Sequence, residues 1–575
     1  MTGLRMNHSL IIALTAACVA ATACGHSYAQ VPTNVPSSAD PAQADKRLTQ
    51  PSLPEPPVPA PEAQTGELPM DAPPQGAETI DFKLNELQID GSTAYSREQL
   101  EQYYAEYIGK TIRLSDVYVI AQSITQRYRD DGYFISKAVV PPQNIKEGKV
   151  KIQAIEGYVA DVAIQGELPE TGVIHGHIEH IQQQRPINIK TLERHLLLLN
   201  DLAGVSVRGI VEPVQSAAQD AGAGAVRLVL LGEKESSAPA ITVDNYGSRF
   251  IGPYQVTGRY SIAGLTKPYH DISVVGLISV PTEEIQYGSA QYTMPLGGNG
   301  TRLELGGGVS HASPGFLIKE QDIQGDSVHF RTAVSHPFIR SRRENLTGTA
   351  EFTIRDNSSD ILTSLLYEDR LRIAKISGSY DIVDNFGGAN VIGLSVSQGL
   401  NILNATDDND QNVSRTGGKG DFTKMEASYA RLQSITGAWS AYGAVTGQFA
   451  SGPLLASEEF AIGGPSFGRG YDPSEYTGDH GLAATLELRY DLSTPWAGIM
   501  AQPFIFYDVG KVWNRDIAGE DKAVSSAGIG ARMNLGDHIS ATLTVAQPLM
   551  GPVPNPPSYA NGNSPRFLGA VTYRF

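Results

Sequence analysis

Cysteine is nearly absent from this chain. The 575 residues hold two, Cys18 and Cys24, both within the first 24 positions. A disulfide framework or a thiolate metal site is therefore excluded from the remainder. Charged residues make up only 18% of the sequence, and the formal net charge is −17. There is no basic block and no interleaving of basic and aromatic residues, so nucleic acid is not an expected partner. No glycine-rich phosphate loop is present, so no nucleotide chemistry is expected. Past the N-terminal segment no apolar run reaches the roughly 18 residues that a membrane-crossing helix needs. If such a chain enters a membrane, it does so as a closed β-barrel, the other structure that pairs all its backbone polar groups in lipid.

The N-terminus has the pattern of an export signal. Arg5 and His8 precede an apolar run over residues 10–23, too short to span a bilayer. Ser27, Tyr28 and Ala29 form a small-x-small site, which predicts a signal peptide over 1–29 with cleavage after Ala29. Acylation at Cys24 is the alternative, but Ala21 stands where a lipoprotein signal usually carries Leu or Val. Cleavage after Ala29 removes both cysteines, which suits an oxidising compartment.

Residues 30–79 are proline-rich (PSLPEPPVPAPEA) and read as a stiff linker. Within it, residues 40–50 (DPAQADKRLTQ) form either a short helix or plain linker. Residues 80–157 then read β-α-α-β-β: a strand at 82–89, helices at 96–107 and 114–131, and strands at 136–140 and 149–156. Val117, Ile120, Ala121, Ile124 and Tyr128 stripe the second helix, and Ser115 can cap its start. The pattern repeats over 158–235. A strand at 158–165 is followed by a helix at 174–183 and a second helix striped by Ile189, Leu192, Leu196 and Leu199. Strands follow at 205–212 and 225–231, with a flexible small-residue loop at 215–224 between them. These are two small α+β domains of ordinary size.

From 240 to 575 the helical period disappears. The chain breaks into about sixteen runs of roughly ten residues, separated by Gly, Asn, Asp and Pro, an even number in the range of outer-membrane barrels. Leu482, Ala484, Leu486, Leu488 and Tyr490 share one face of their run, and Ala483, Thr485, Glu487 and Arg489 share the other. In the last run Phe567, Gly569, Val571, Tyr573 and Phe575 alternate with polar residues. The polar faces point to a lumen and the apolar faces to lipid, with Tyr and Trp at the interfaces.

The glycine-rich stretch 463–481, GGPSFGRGYDPSEYTGDHG, is too irregular for helix or sheet. It is either a mobile surface loop or a loop folded into a cavity and held there by its one arginine, Arg469. No catalytic constellation competes with it, and no cofactor is called for. His175, His177 and His180 lie in a polar segment without nearby cysteine and read as a solvated helix face rather than a metal site. Asp407, Asp408 and Asp410 lack the spacing of a calcium loop and read as part of an extracellular loop.

Four stretches together resemble the transporter half of bacterial two-partner secretion, the haemolysin secretion/activation and filamentous-haemagglutinin family. They are GYFISKAVVPPQNIKEGKVKIQAIEG (132–157), VDNYGSRFIGPYQ (243–255), LLASEEFAIGGPSFGRGYDPSEYTGDHG (454–481) and PFIFYDVGKVW (503–513). The resemblance covers roughly 80–575. It implies a membrane β-barrel of 16 antiparallel strands over 240–575, preceded by two periplasmic POTRA domains, 80–157 and 158–235. It also implies that the loop between strands eleven and twelve enters the lumen carrying a Val-Arg-Gly-Tyr/Phe motif. Here the motif reads Gly468-Arg469-Gly470-Tyr471, with glycine at the Val position. In the family the arginine pairs with an aspartate in a Phe-x-x-x-Asp-x-Gly strand, and Phe504, Asp508 and Gly510 match that pattern. Asp508 shares a face with Phe504 and Phe506, opposite Ile505, Tyr507 and Val509, so it is expected to point inward.

The resemblance further implies an outer-membrane pore, embedded in lipid, that exports one large β-rich secreted exoprotein. The POTRA domains (80–235) would recognise this cargo unfolded. Members often carry an N-terminal helix that plugs the barrel, and 40–50 is the candidate here. An assembly factor that inserts other barrels is the rival reading, although such factors usually carry three or more POTRA domains. A passive porin needs neither the domains nor the loop.

Overall fold

The computed structural model describes residues 36–49, 70–213, 222–492, 499–515, 521–556 and 561–575. The signal peptide, most of the proline-rich linker and most of the loop at 215–224 lie outside the described residues.

Two α+β units precede the barrel and share one sheet plan. In the first, Lys149–Ile155 is the central strand, parallel to Glu86–Asp90 and antiparallel to Lys137–Val139. In the second, Ala225–Lys234 is central, parallel to Tyr158–Gly166 and antiparallel to Val205–Pro213. Each sheet buries one face under helices, because alternate strand residues are apolar. Helix Leu114–Asp130 presses Val117, Ile120, Ala121, Ile124 and Tyr128 into the first core. Helices Gly172–Gln183 and Ile189–Asn200 bury Ile174, Ile181, Leu192 and Leu199 in the second.

Four local expectations are corrected. The strand expected at 82–89 is two strands, Asp81–Lys83 and Glu86–Asp90. The chain changes partner between them: Leu84 N donates to Lys110 O and Asn85 N to Gly148 O. The helix expected at 96–107 is α-helical only over Arg97–Glu101, closed at its start by a Ser96–Gln99 capping box. It continues as i→i+3 turns and a short 3-10 segment, Ala105–Tyr107, and Tyr104 is buried in the core at the break. Ser115 does not cap the next helix. Asp116 does, accepting from Arg113 N at 2.8 Å.

The fourth correction concerns the histidines. His175 is exposed, but His177 is buried, its Nδ1 3.0 Å from Nδ1 of His195 on the neighbouring helix. Close packing of the two helices, rather than the local polarity of the sequence, decides which face is covered. Among the described residues no His, Cys, Asp and Glu cluster could hold a metal ion.

Sixteen antiparallel strands close a barrel, the first (Ala240–Asp244) pairing with the last (Arg566–Arg574). Lipid-facing and lumen-facing residues alternate: Leu486 is 64% exposed and Phe567 67%, whereas Thr485, Glu487 and Arg489 are buried inside. At the periplasmic rim Trp439 packs on Tyr490 (ring centroids 4.8 Å apart) and Tyr573 on Phe575 (4.9 Å), as interfacial aromatics do.

The second α+β unit seats on three periplasmic turns of the barrel. Arg340 forms a bidentate pair with Asp201, both contacts 2.8 Å, and Arg194 Nη2 donates to Pro337 O at 2.7 Å. Gly176 meets Gly298 backbone to backbone: a Cβ at Gly176 would lie 2.9 Å from Gly298 Cα. Tyr269 of the first turn donates to Pro169 O and joins the core of the unit.

Helix Pro41–Thr49 lies inside the barrel. Asp40 Oδ1 accepts from Ala42 N at 2.9 Å, and Pro41 occupies the first helical turn, where its missing N–H costs nothing. Pro41 packs on Gly325, an inward-facing wall residue. Tyr367 donates to Asp40 at 2.9 Å, and Ser248 donates to Ser38 O at 2.6 Å.

Candidate functional site

The long loop leaves strand eleven (Trp439–Ala450) and returns to strand twelve (His480–Tyr490). Its two arms pair as a short ribbon, Phe460–Ile462 against Tyr476–Gly478. Ribbon and tip pack against the inner wall, burying Ile462 and Tyr471 with Ala483, Val512 and Val524. The tip is turned by left-handed glycines. Gly463 (φ 109°) sits where a Cβ would strike Asp472 O, and Gly468 has φ 77°. That φ is strained for a β-branched residue, which accounts for glycine at the motif's Val position.

Arg469 is driven into the wall of strands twelve and thirteen. Its backbone N donates to Asp508 Oδ2 at 3.0 Å, its Nε to the same oxygen at 2.9 Å, and its Nη2 to Asp508 Oδ1 at 2.8 Å. Nη1 reaches Glu487 Oε1 at 2.6 Å and Nη2 also reaches Thr485 Oγ1 at 2.7 Å. The guanidinium lies 3.6 Å from the Phe506 ring centroid. Arg469 is 5% exposed and Asp508 0%. A planar cation in that setting is satisfied by bidentate carboxylate geometry, with cation–π stacking on one face. The arrangement follows from register, since Thr485 is the cross-strand partner of Asp508 and Glu487 that of Phe506.

The other motif residues complete the seat. Gly470 lets the tip touch the wall, because a Cβ there would lie 2.9 Å from Pro548 N and 3.0 Å from Ser526 Cβ. Tyr471 is buried and donates to Met550 O at 2.6 Å. A Cβ on Gly510 would lie 3.1 Å from Ile462 of the loop ribbon. Phe504 faces inward beneath Arg532, whose guanidinium sits 4.3 Å from its ring. The structure thus gathers Arg469, Gly470, Tyr471, Phe504, Asp508 and Gly510 in one place.

Other partners were not paired by sequence reasoning. Glu487 is shared by Arg469, Arg489 (2.8 Å) and Arg532 (2.9 Å). Arg249 holds Asp472 at 2.7 Å and Glu475 bidentately at 2.9 Å, and Arg566 reaches Asp472 at 2.9 Å. The inward parity of Thr485 and Glu487 was the available signal. Nothing local in sequence points from Asp472 to Arg249. The descending arm of the loop also carries the inner helix: Gln43 donates to Ala456 O and Lys46 to Glu459 O, while Glu458 binds Lys424 at 2.7 Å.

Comparison with known proteins decides what this barrel is. The profile of the haemolysin secretion/activation protein family ShlB/FhaC/HecB matches residues 225–533, and that of the ShlB-type POTRA domain matches 82–157. The chain belongs to the ShlB/FhaC/HecB family. It is an outer-membrane secretion transporter of the two-partner type, with periplasmic POTRA domains ahead of its barrel. It is similar to the heme/hemopexin transporter protein HuxB of Haemophilus influenzae, 24% identical over 501 residues covering 84% of this chain and 86% of that protein. It is also similar to the outer membrane transporter CdiB of Dickeya dadantii, 20% identical over 423 residues (71% of this chain, 72% of that protein). Among solved structures, CdiB from Escherichia coli shares the fold at TM-score 0.73 and 17% identity, covering 96% of this chain and 100% of that one. CdiB from Acinetobacter baumannii shares it at 0.64 and 15%, covering 95% and 100%.

Proposed function

We propose that this transporter exports one dedicated, large, β-rich exoprotein, received unfolded in the periplasm, and that the Arg469 loop is its gate. The observation that carries this reading is the occupied lumen. Two segments of the chain itself, helix Pro41–Thr49 and the loop tip at 463–475, lie inside the barrel and are bonded to its wall and to each other's anchors. Cargo can pass only if these segments move, so the contacts at Arg469 set the resistance to opening. The reading assigns the chain no reaction: Arg469, Asp508 and Glu487 act as a clamp. Outer-membrane lipid surrounds the apolar band, and the inner helix acts as a plug.

Capture follows from the sheet edges. Val205–Pro213 is a nine-residue strand paired on one side only among the described residues, with Ile210 exposed. An unfolded β-rich segment can add there through main-chain hydrogen bonds, with side-chain pockets supplying specificity. The test is a photo-crosslinking amino acid at Ile210 in the full-length transporter, expressed in its native cells, with the crosslinked proteins identified. Crosslinking to a single large β-rich exoprotein supports dedicated export. Labelling of many barrel precursors with no preferred partner contradicts it.

A further inference from the structure

The motif accounts for the loop's tip but not for its root. At the extracellular mouth Asp479, the last loop residue before strand twelve, is fully buried. It gathers three other segments. Leu454 N, on the descending arm, donates to Oδ1 at 2.7 Å. Arg515 N, after strand thirteen, donates to Oδ2 at 2.8 Å. Arg415 Nη2, from a different extracellular loop, donates to Oδ2 at 3.0 Å.

Arg415 grips both arms of the root. Besides Asp479 it reaches Leu454 O through Nη1 (3.0 Å), Glu459 through Nε (3.3 Å) and Asn514 Oδ1 through Nη2 (3.0 Å). The loop that carries it, residues 400–422, is sewn to the wall. Ser414 N donates to Asp369 at 3.0 Å, Arg370 N to Thr406 Oγ1 at 2.8 Å, and Leu400 N to Arg372 O at 2.8 Å. Beneath it Phe422, Leu454, Leu455, Leu371 and Ile373 form an apolar cluster. Lys419 N donates to Pro453 O at 3.1 Å, laying the strap along the descending arm. Glu459, which Arg415 touches, also offers its carbonyl to Lys46 of the inner helix.

We infer that Arg415 is a second restraint on the gating loop, an outer latch that must part from Asp479 before the pore opens. The tip clamp is tied to the barrel wall, whereas the latch ties the loop root to another extracellular loop and shares no residue with the clamp. A buried carboxylate that loses its cation is strongly destabilised, so the latch biases the mouth toward the closed arrangement. Through Glu459 the same contact steadies the arm on which the inner helix rests. This inference rests on the reading that the loop moves during export.

The test uses the full-length chain in planar lipid bilayers, with ion conductance as the probe. Two reversible tethers are compared. Lys419→Cys with Pro453→Cys joins strap to root and leaves Arg415 and Asp479 in place; Ile462→Cys with Ala483→Cys, two residues of one buried cluster, joins the base of the tip to the wall. Each pair is closed with a short thiol crosslinker that reductant removes, and the mature chain brings no competing cysteine once residues 1–29 are cleaved. The latch predicts that the strap tether abolishes large openings and that reduction restores them. It also predicts that Arg415→Ala, untethered, raises open time several-fold while Arg415→Lys raises it less. Openings that persist with the strap tether closed but vanish with the tip tether closed overturn the latch and leave the moving loop intact. Openings that persist under both overturn the moving loop as well.

Discussion

Arg469 meets Asp508 through three hydrogen bonds, one from its backbone and two from its guanidinium. Side-chain charge and main-chain position are thus fixed by the same carboxylate. Removing Arg469 leaves Asp508 buried without its counter-charge, at a cost of about 3–5 kcal/mol, and removing the Asp508 charge leaves Arg469 with Glu487 alone. A tip that loses its seat is misplaced in the lumen rather than cleared from it, so Arg469→Ala and Asp508→Asn are expected to cut secretion of the exoprotein about tenfold or more while the barrel still inserts. Exchanging the charges, Arg469→Asp with Asp508→Arg, should secrete better than either single change. Rescue will be partial, because Glu487 stays beside position 469 and repels the introduced carboxylate. Secretion and heat-modifiable barrel mobility, measured on the same cells, check this.

Glu487 offsets Arg469, Arg489 and Arg532 together. Glu487→Gln leaves those three cations in a lumen that has lost one anion. Reversal potentials under a salt gradient should shift toward anion selectivity, with Asp508 still seating the loop. An unchanged potential would mean that the three arginines do not face the conducting path.

The family's Val position tests the tip's backbone. Gly468 has φ 77°, so Gly468→Val, although it restores the motif, should destabilise the seated tip by about 1–3 kcal/mol. Faster protease cleavage within 463–475 than in the parent chain is the expected result.

The buried histidines of the second α+β unit give a pH dependence. Burial pushes His177 down to about 4 and His195 to about 3; His180 and Arg194 add to both falls, and Asp201 opposes that of His177. Unfolded, both would titrate near 6.5. The unfolded state therefore binds more protons across this interval. Stability is fully present above about pH 6.5 and is lost as pH falls toward 4. The hydrogen-exchange protection of helix Gly172–Gln183 in the full-length chain, corrected for the intrinsic pH dependence of amide exchange, should fall between pH 7 and 5. His195→Asn should flatten that response.

Much of this was legible in the sequence because a barrel writes itself with period two. The parity of Phe504, Phe506 and Asp508 against Ile505, Tyr507 and Val509 gives the direction of each side chain without any tertiary knowledge. What parity cannot give is register. That Thr485 lies opposite Asp508, and so completes the arginine's seat, depends on how strands twelve and thirteen slide against each other. Contacts between distant loops were less legible still: Arg249 to Asp472 and Arg415 to Asp479 join segments from separate inter-strand loops with no shared pattern. His177 was misread because a helix's covered face is chosen by its neighbour, here the helix that carries His195.

The central claim is that the seated loop must leave the wall for cargo to pass. The most direct measurement is secretion of the exported exoprotein, in the cells that make it, through the Ile462→Cys, Ala483→Cys transporter, with the crosslink closed and then reduced in the same cells. The account predicts arrest when closed and recovery on reduction. Equal secretion in both states, with the crosslink verified, would contradict it.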